Sequence, residues 1–225
     1  MDFRLRYQPI WDMHGRTILG YEATVIGLHG EPAAILFKCH ASAIASFDRL
    51  LIAMALREGS QLLQKGQKLF INIHPRTLSS GLALPEVDRS ADIVFEITEK
   101  TNFSGEVKQE LRELQQLGFG LAIDDYGKQF SNLDRLISDW FSPRYLKLDR
   151  SFTAALLQVE RAQWVIRHTQ ELCNKLGIHL IAEGVEMARQ QDLLQQLGVR
   201  YMQGYHLGYP EAAENWLGQR VGGSR

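Results

Sequence analysis

Hydrophobic positions along the chain fall into short runs of strand length, most of them closed by a polar or ionisable residue. Such runs span residues 5–10 (LRYQPI), 18–26 (ILGYEATVI), 69–73 (LFINI) and 92–97 (DIVFEI). Four more span 119–124 (FGLAID), 144–148 (RYLKL), 178–183 (IHLIAE) and 199–203 (VRYMQ). Between most of them the apolar spacing becomes that of an amphipathic helix. Ile44, Phe47, Leu51, Met54, Ala55 and Leu62 form one stripe within 41–64, and Val107, Leu111, Leu114 and Leu117 form another that ends at Gly118. Residues 152–176 and 186–197 repeat the pattern, and Gly177 and Gly198 follow them as helix-terminating glycines before the next strand.

Helix, glycine, strand in repeated order predicts a parallel sheet with crossover helices. Only WDMHGRT separates the first two strands. A parallel crossover needs a dozen or more residues, so these strands are expected to form an antiparallel hairpin. About eight strands mostly alternating with helices in 225 residues predict an α/β fold closed as a TIM-like (β/α)8 barrel, with the first strand antiparallel. An open doubly wound sheet is the competing architecture. It lacks its phosphate-binding glycine fingerprint here, because GFGLAI at 118–123 has no third glycine and precedes a strand. A single domain over 1–218 is expected, followed by a disordered tail at 219–225.

Composition narrows the partners rather than the fold. With 45% hydrophobic residues the chain suits one sizeable core. A net charge of -1, from 25 basic and 26 acidic residues, offers no electrostatic footprint for a nucleic-acid duplex, so neither DNA nor RNA duplex is an expected partner. Cys39 and Cys173 are far apart and lack zinc-type spacing, which fits a reducing cytoplasm. No apolar run approaches the roughly 20 residues that cross a bilayer, so no direct membrane span is expected. The histidines are scattered without HxxxH or HxH spacing, and no GxSxG occurs.

Barrel enzymes carry their chemistry at the C-terminal ends of the strands. Those ends here present Gln8, Glu22, Asn72, Glu96, Asp124 with Asp125, Lys147 with Asp149, Glu183 and Gln203. Acids dominate, and so many unpaired buried carboxylates are costly. Hard divalent cations such as Mg²⁺ or Mn²⁺ remove the cost, because carboxylate and amide oxygens are their preferred ligands. Asp124 and Asp125, which repel as bare charges, then become ligands of two cations roughly 3.5 to 4 Å apart, an arrangement used for in-line phosphoryl chemistry. Lys147 offsets residual charge or orients a water, and Glu183 is a candidate general base. Taken singly, each residue has a plainer explanation: an Asp after a strand caps a helix, and Asn72 suits a turn. Capping does not make every strand end polar.

The stretches YQPI, GYEA, INI, FEITE, LAIDDYG, LKLDRSF, IAEGVE and QGYHLG occur in an order and spacing that resembles the EAL domain, from Tyr7 to about Pro210. The resemblance implies a TIM-like barrel, often dimeric, that hydrolyses cyclic di-GMP to linear pGpG with two Mg²⁺ or Mn²⁺ ions per site. It also implies roles. Glu22, Asn72, Glu96 and Asp124 correspond to ligands of one cation, and Asp124 and Asp125 to ligands of the second. Glu183, Lys147 and Glu22 make up the catalytic set, with Glu183 as base and Lys147 positioning the water. Gln8, Gln203 and Asp149 fall on the substrate side, and Glu99 corresponds to the residue that anchors the loop after the Asp pair.

Departures from the family pattern lie at the periphery of this set. The signature EAL reads Glu22, Ala23, Thr24, and Ile26 stands where the family has a phosphate-binding arginine. The loop DFGTGYSSL reads DYGKQFSNL, placing Lys128 and Gln129 in a Thr-Gly position. An apolar side chain in place of a charge-assisted donor weakens substrate binding, and a loop with one glycine fewer is restricted in its backbone. The positive charge of Lys128 is a candidate substitute for the arginine that Ile26 replaces. The segment 27–48 is also shorter than the family's and matches it poorly. The leading expectation is a cyclic di-GMP phosphodiesterase weakened by Ile26 and the altered loop. The alternatives are a non-catalytic cyclic di-GMP receptor and a protein-interaction module.

Overall fold

A computed structural model describes residues 2–82, 84, 92–98, 101–128 and 133–217, the side chains of 133 and 134 excepted. All eight expected strands form: β1 (Phe3–Asp12), β2 (Thr17–Gly27), β3 (Lys68–Ile73), β4 (Asp92–Thr98), β5 (Gly120–Tyr126), β6 (Tyr145–Leu148), β7 (His179–Ala182) and β8 (Tyr201–Met202). They close into a barrel in sequence order. β1 runs antiparallel to both β2 and β8, and every other neighbouring pair is parallel. The hairpin outgrows its expected bounds because β2 leaves β3 after Ala23 but stays paired with β1 as far as Gly27.

Around the barrel lie α1 (Ala33–Cys39), α2 (Ile44–Leu62), α3 (Pro75–Ser79), α4 (Gly105–Gln116), α5 (Leu133–Leu136), α6 (Arg150–Ala155), α7 (Glu160–Leu176), α8 (Ala188–Gln196) and α9 (Ala213–Trp216). α4 shows why these segments are helical. Ser104 caps its first turn, and Val107, Leu111 and Leu114 fall on the buried stripe. Leu117 does not join that stripe as expected. It is the C-cap residue, rotated out of register and 51% exposed. The expected helix over 152–176 is two helices, because Val159 is extended at the start of α7 and Asp149 caps a separate start at α6.

Two cores result from the period-two alternation of the strands. Outward residues such as Leu69, Phe95, Leu121 and Leu180 pack with Leu51, Leu111 and Ile166 of the helices. Inward residues Ile10, Phe70, Val94, Ala122, Tyr145, Ile181 and Tyr201 form a separate plug in the lumen. The lumen is therefore filled at one level and available for polar groups above it.

Closure between β1 and β8 rests on a short ladder, Trp11 opposite Met202 and Asp12 opposite Tyr201. The Asp12 carboxylate reinforces it by accepting from Arg200 Nε at 2.8 Å and from the amides of His14 and Gly15 at 3.1 and 3.2 Å. The Arg200 hydrogen bond holds the Asp12 carboxyl below its usual range, against the opposing effect of burial. Asp12→Ala is expected to cost about 2–3 kcal/mol at neutral pH, the scale of removing hydrogen bonds to a charged group. Because the folded pKa is depressed, this contribution is present above about pH 4 and lost as the pH falls through the folded value. Urea unfolding at pH 7 and pH 3 checks it: the gap between wild type and variant should narrow in acid.

Candidate active site

The polar residues at the barrel mouth stand one pleat above the lumen plug. Phe70 is followed two positions on by Asn72, Val94 by Glu96, Ala122 by Asp124 and Tyr145 by Lys147. Ile181 leads likewise to Glu183 and Tyr201 to Gln203, while in antiparallel β1 Ile10 is preceded by Gln8. Residues two apart share a face, so each strand that fills the lumen with an apolar group also presents a polar one at its top. Glu22 on β2 sits opposite Gln8 and completes the ring.

Lys147 is the centre of this ring. Its side chain is 1% exposed, and its Nζ lies 2.9 Å from Glu22, 2.8 Å from Glu96, 2.9 Å from Glu183 and 3.6 Å from Asp124. Glu22 also accepts from Asn72 Nδ2 at 3.1 Å and from Gln203 Nε2 at 2.8 Å. Gln203 Nε2 reaches Gln8 Oε1 at 3.2 Å, and Gln8 Nε2 donates to the Gly208 carbonyl at 3.0 Å. Gln8, Glu22, Asn72, Glu96, Asp124, Lys147, Glu183 and Gln203 thus form one connected cluster.

One ammonium faces more carboxylate charge than it can balance. Burial, with Glu22 and Asp124 nearby, pushes Glu96 well above the ordinary carboxylate range despite Lys147. Burial also raises Asp124, and it raises Glu183 to about 8, in both cases against the pull of Lys147. Glu22 goes the other way. Burial would raise it, but the Lys147 charge and the hydrogen bonds from Lys147, Gln203 and Asn72 outweigh that effect. Lys147 stays firmly protonated, because Glu183, Glu22, Glu96 and Asp124 overcome the desolvation of its ammonium.

Asp124 and Asp125 both reach the mouth because the strand is irregular there. Adjacent strand residues normally point to opposite faces, but the β5–β6 register shifts between Ile123 and Tyr126 and Asp125 has a left-handed φ of 58°. Asp125 accepts from Lys128 Nζ at 3.0 Å, and the same ammonium is 3.5 Å from Asp149 Oδ2. Asp149 also caps α6 by accepting from the Ser151 amide at 3.0 Å. Asp125 and Asp149 therefore form a second acidic patch, bridged by Lys128, beside the Lys147 cluster. Lys128 is held between carboxylates rather than standing free for a phosphate. Ile26 lies on the hairpin, opposite Arg4 and bridged to Pro32. Glu99 and Gln129 lie outside the described residues.

A cleft of about 200 Å³ opens beside Gln8, Glu22, Glu183 and Gln203. It is also walled by Thr24, two positions beyond Glu22 on β2, and by Arg150, Gly184, Glu186 and Tyr205, which carried no periodic signal in the sequence. A larger cavity of about 350 Å³ adjoins Glu22 and Asn72 and is walled by Phe37 of α1, a helix that the sequence pattern did not reveal. Gly184 keeps Glu183 and Arg150 in place. Its φ is +69°, and a Cβ there would lie 2.5 Å from Arg150 Cβ. Gly184→Ala is expected to destabilise the fold by about 1–3 kcal/mol through backbone strain and this clash, seen as a lower melting temperature.

The donor set suits a hard cation. Both Glu96 oxygens, Asp124 Oδ1 and Gln203 Oε1 are buried without a hydrogen-bond partner, although Lys147 makes ionic contact with Glu96 and Asp124. Oxygens of this kind are the preferred ligands of Mg²⁺ and Mn²⁺. Among the described residues no three His, Cys, Asp or Glu side chains already converge as a metal site, and the Lys147 ammonium lies between the carboxylates.

A family model described as "EAL domain" matches residues 1–210. The biofilm architecture maintenance protein MbaA of Vibrio cholerae is 28% identical over 93% of this chain, which spans 28% of that protein. The cyclic di-GMP phosphodiesterase RocR of Pseudomonas aeruginosa is 30% identical over 96% of this chain, which spans 59% of RocR. Among solved structures, the EAL enzyme Bd1971, bound to cAMP and cyclic di-GMP, has a TM-score of 0.83 at 26% identity, covering 96% of this chain and 64% of that one. Klebsiella pneumoniae BlrP1 with manganese and cyclic di-GMP also has a TM-score of 0.83, at 23% identity and with coverage of 95% and 57%, a likeness of fold.

Proposed function

This chain belongs to the EAL domain family, and from that premise we propose that it hydrolyses one phosphodiester of cyclic di-GMP to linear pGpG. The observation that carries the reading is the buried cluster at the barrel mouth, where Glu96 and Asp124 carry buried oxygens without a hydrogen-bond partner and meet the Lys147 ammonium through ionic contact. Cyclic di-GMP phosphodiesterases are among the named relatives, and the solved relatives include complexes with cyclic di-GMP and manganese.

In this reading Glu22, Asn72, Glu96, Asp124 and Asp125 hold two Mg²⁺ or Mn²⁺ ions. Bound there, such ions would supply positive charge to the phosphate oxygens and would make the attacking water more acidic. The chain's own groups do the rest. Glu183 takes the proton from the water, whose oxygen forms a new bond to phosphorus as the bond to the 3′ oxygen breaks, and the freed 3′ oxygen takes a proton from solvent. Lys147 orients that water and holds Glu22 ionised. Gln8 and Gln203, linked at 3.2 Å, offer amide groups to the substrate at the edge of the cleft. Asp149 supports the loop that carries Asp125 through the shared Lys128 contact.

A receptor role is the second reading, favoured by Ile26 on the hairpin and by the Lys128 contact to Asp125. Chelation separates the two. Turnover of cyclic di-GMP in Mn²⁺ that stops in EDTA and returns when Mn²⁺ is restored supports the phosphodiesterase. Saturable binding by calorimetry with no product in any divalent cation supports the receptor. Sedimentation of the full chain tests the homodimer that accompanies the family reading.

A further inference from the structure

We propose that Lys128 is a tethered counter-cation that competes with the divalent ion for Asp125 and so sets a weaker metal affinity than the acidic residues alone would give. The inference rests on the reading of this rim as a cation site. Three features of the chain build the contact. The Lys128 amide donates to the Asp125 carbonyl at 3.2 Å, closing a turn that carries the side chain back over the carboxylate of residue 125. Gly127, at a φ of +89°, makes the turn, and a Cβ there would lie 2.6 Å from Phe152 Cε2, so the turn is packed against α6. The ammonium is then held by two carboxylates, Asp125 Oδ1 at 3.0 Å and Asp149 Oδ2 at 3.5 Å.

The geometry leaves Asp149 free for both tasks, since Oδ1 caps α6 and Oδ2 faces Lys128. The Asp149 side chain is 5% exposed, so this is a partly desolvated pair rather than a contact between two solvated side chains. Lys128 itself is 44% exposed and can swing into solvent. A divalent ion carries twice its charge and would displace it from Asp125, but the ammonium remains nearby on Asp149. The ion thus has to overcome a hydrogen bond at its ligand and a like charge at short range. Lys128 meets Asp125 and Asp149, whereas Asp124 and Glu96 are met by Lys147, so the effect of Lys128 falls on the Asp125 side of the site.

Mn²⁺ titration of the substrate-free full chain, followed by calorimetry and by the paramagnetic resonance signal of free Mn²⁺, reads this directly. Lys128→Met is expected to bind Mn²⁺ about three- to tenfold more tightly at the weaker step. Lys128→Arg keeps the charge and should stay close to wild type. Equal Mn²⁺ affinity in wild type and Lys128→Met, with wild type binding normally, overturns the inference and leaves the cation-site reading intact. Absence of Mn²⁺ binding at millimolar concentration in all three proteins overturns both.

Discussion

Lys147→Met is expected to abolish turnover and, in metal-free buffer, to destabilise the fold by about 3–5 kcal/mol, the cost of leaving a buried ion network without its opposite charge. The side chain is 1% exposed and its ammonium touches Glu22, Glu96 and Glu183 within 2.9 Å. Without it, the buried acids must protonate or repel one another. For a chain of this size the loss is roughly a 10 °C drop in melting temperature. The same reasoning predicts partial rescue: Mn²⁺ should raise the melting temperature of Lys147→Met more than that of wild type, because a cation supplies the charge that was removed. Thermal melts in EDTA and in Mn²⁺ check both. A variant as stable as wild type in EDTA would show that the ammonium is not what balances the mouth.

The second large effect is on the chemistry. Glu183→Gln keeps the shape of the side chain but removes a proton acceptor, so turnover of cyclic di-GMP should fall by about 10²–10⁴-fold. Binding should persist, since the Gln8–Gln203 pair is untouched and glutamine keeps the shape of the cleft wall at position 183. The readout is single-turnover kinetics beside calorimetric affinity. Turnover within a few-fold of wild type would remove Glu183 from the role of base.

Much of this site was legible because one strand rule generates it. A plug residue followed two positions later by a polar one, as in Tyr145 and Lys147 or Val94 and Glu96, is visible in a bare sequence once the strands are placed. The antiparallel first strand was legible from the brevity of WDMHGRT. Contacts that depend on local irregularity were not. Lys128 meets Asp125 only because a register shift and a left-handed residue bend the end of β5, and neither has a periodic signature. Arg150 lies in the cleft because Gly184 lets the segment after β7 approach the start of α6, a property of tertiary geometry. α1 buries only Leu36, too little apolar surface to mark a helix, and yet it brings Phe37 to the cavity beside Glu22.

The central claim, that this mouth directs water at a phosphodiester, is tested most directly by incubating the protein with cyclic di-GMP and Mn²⁺ in ¹⁸O-water and weighing the product. The expected result is linear pGpG with one heavy oxygen on its terminal phosphate. Intact cyclic di-GMP after prolonged incubation, or a linear product without the heavy oxygen, would contradict it.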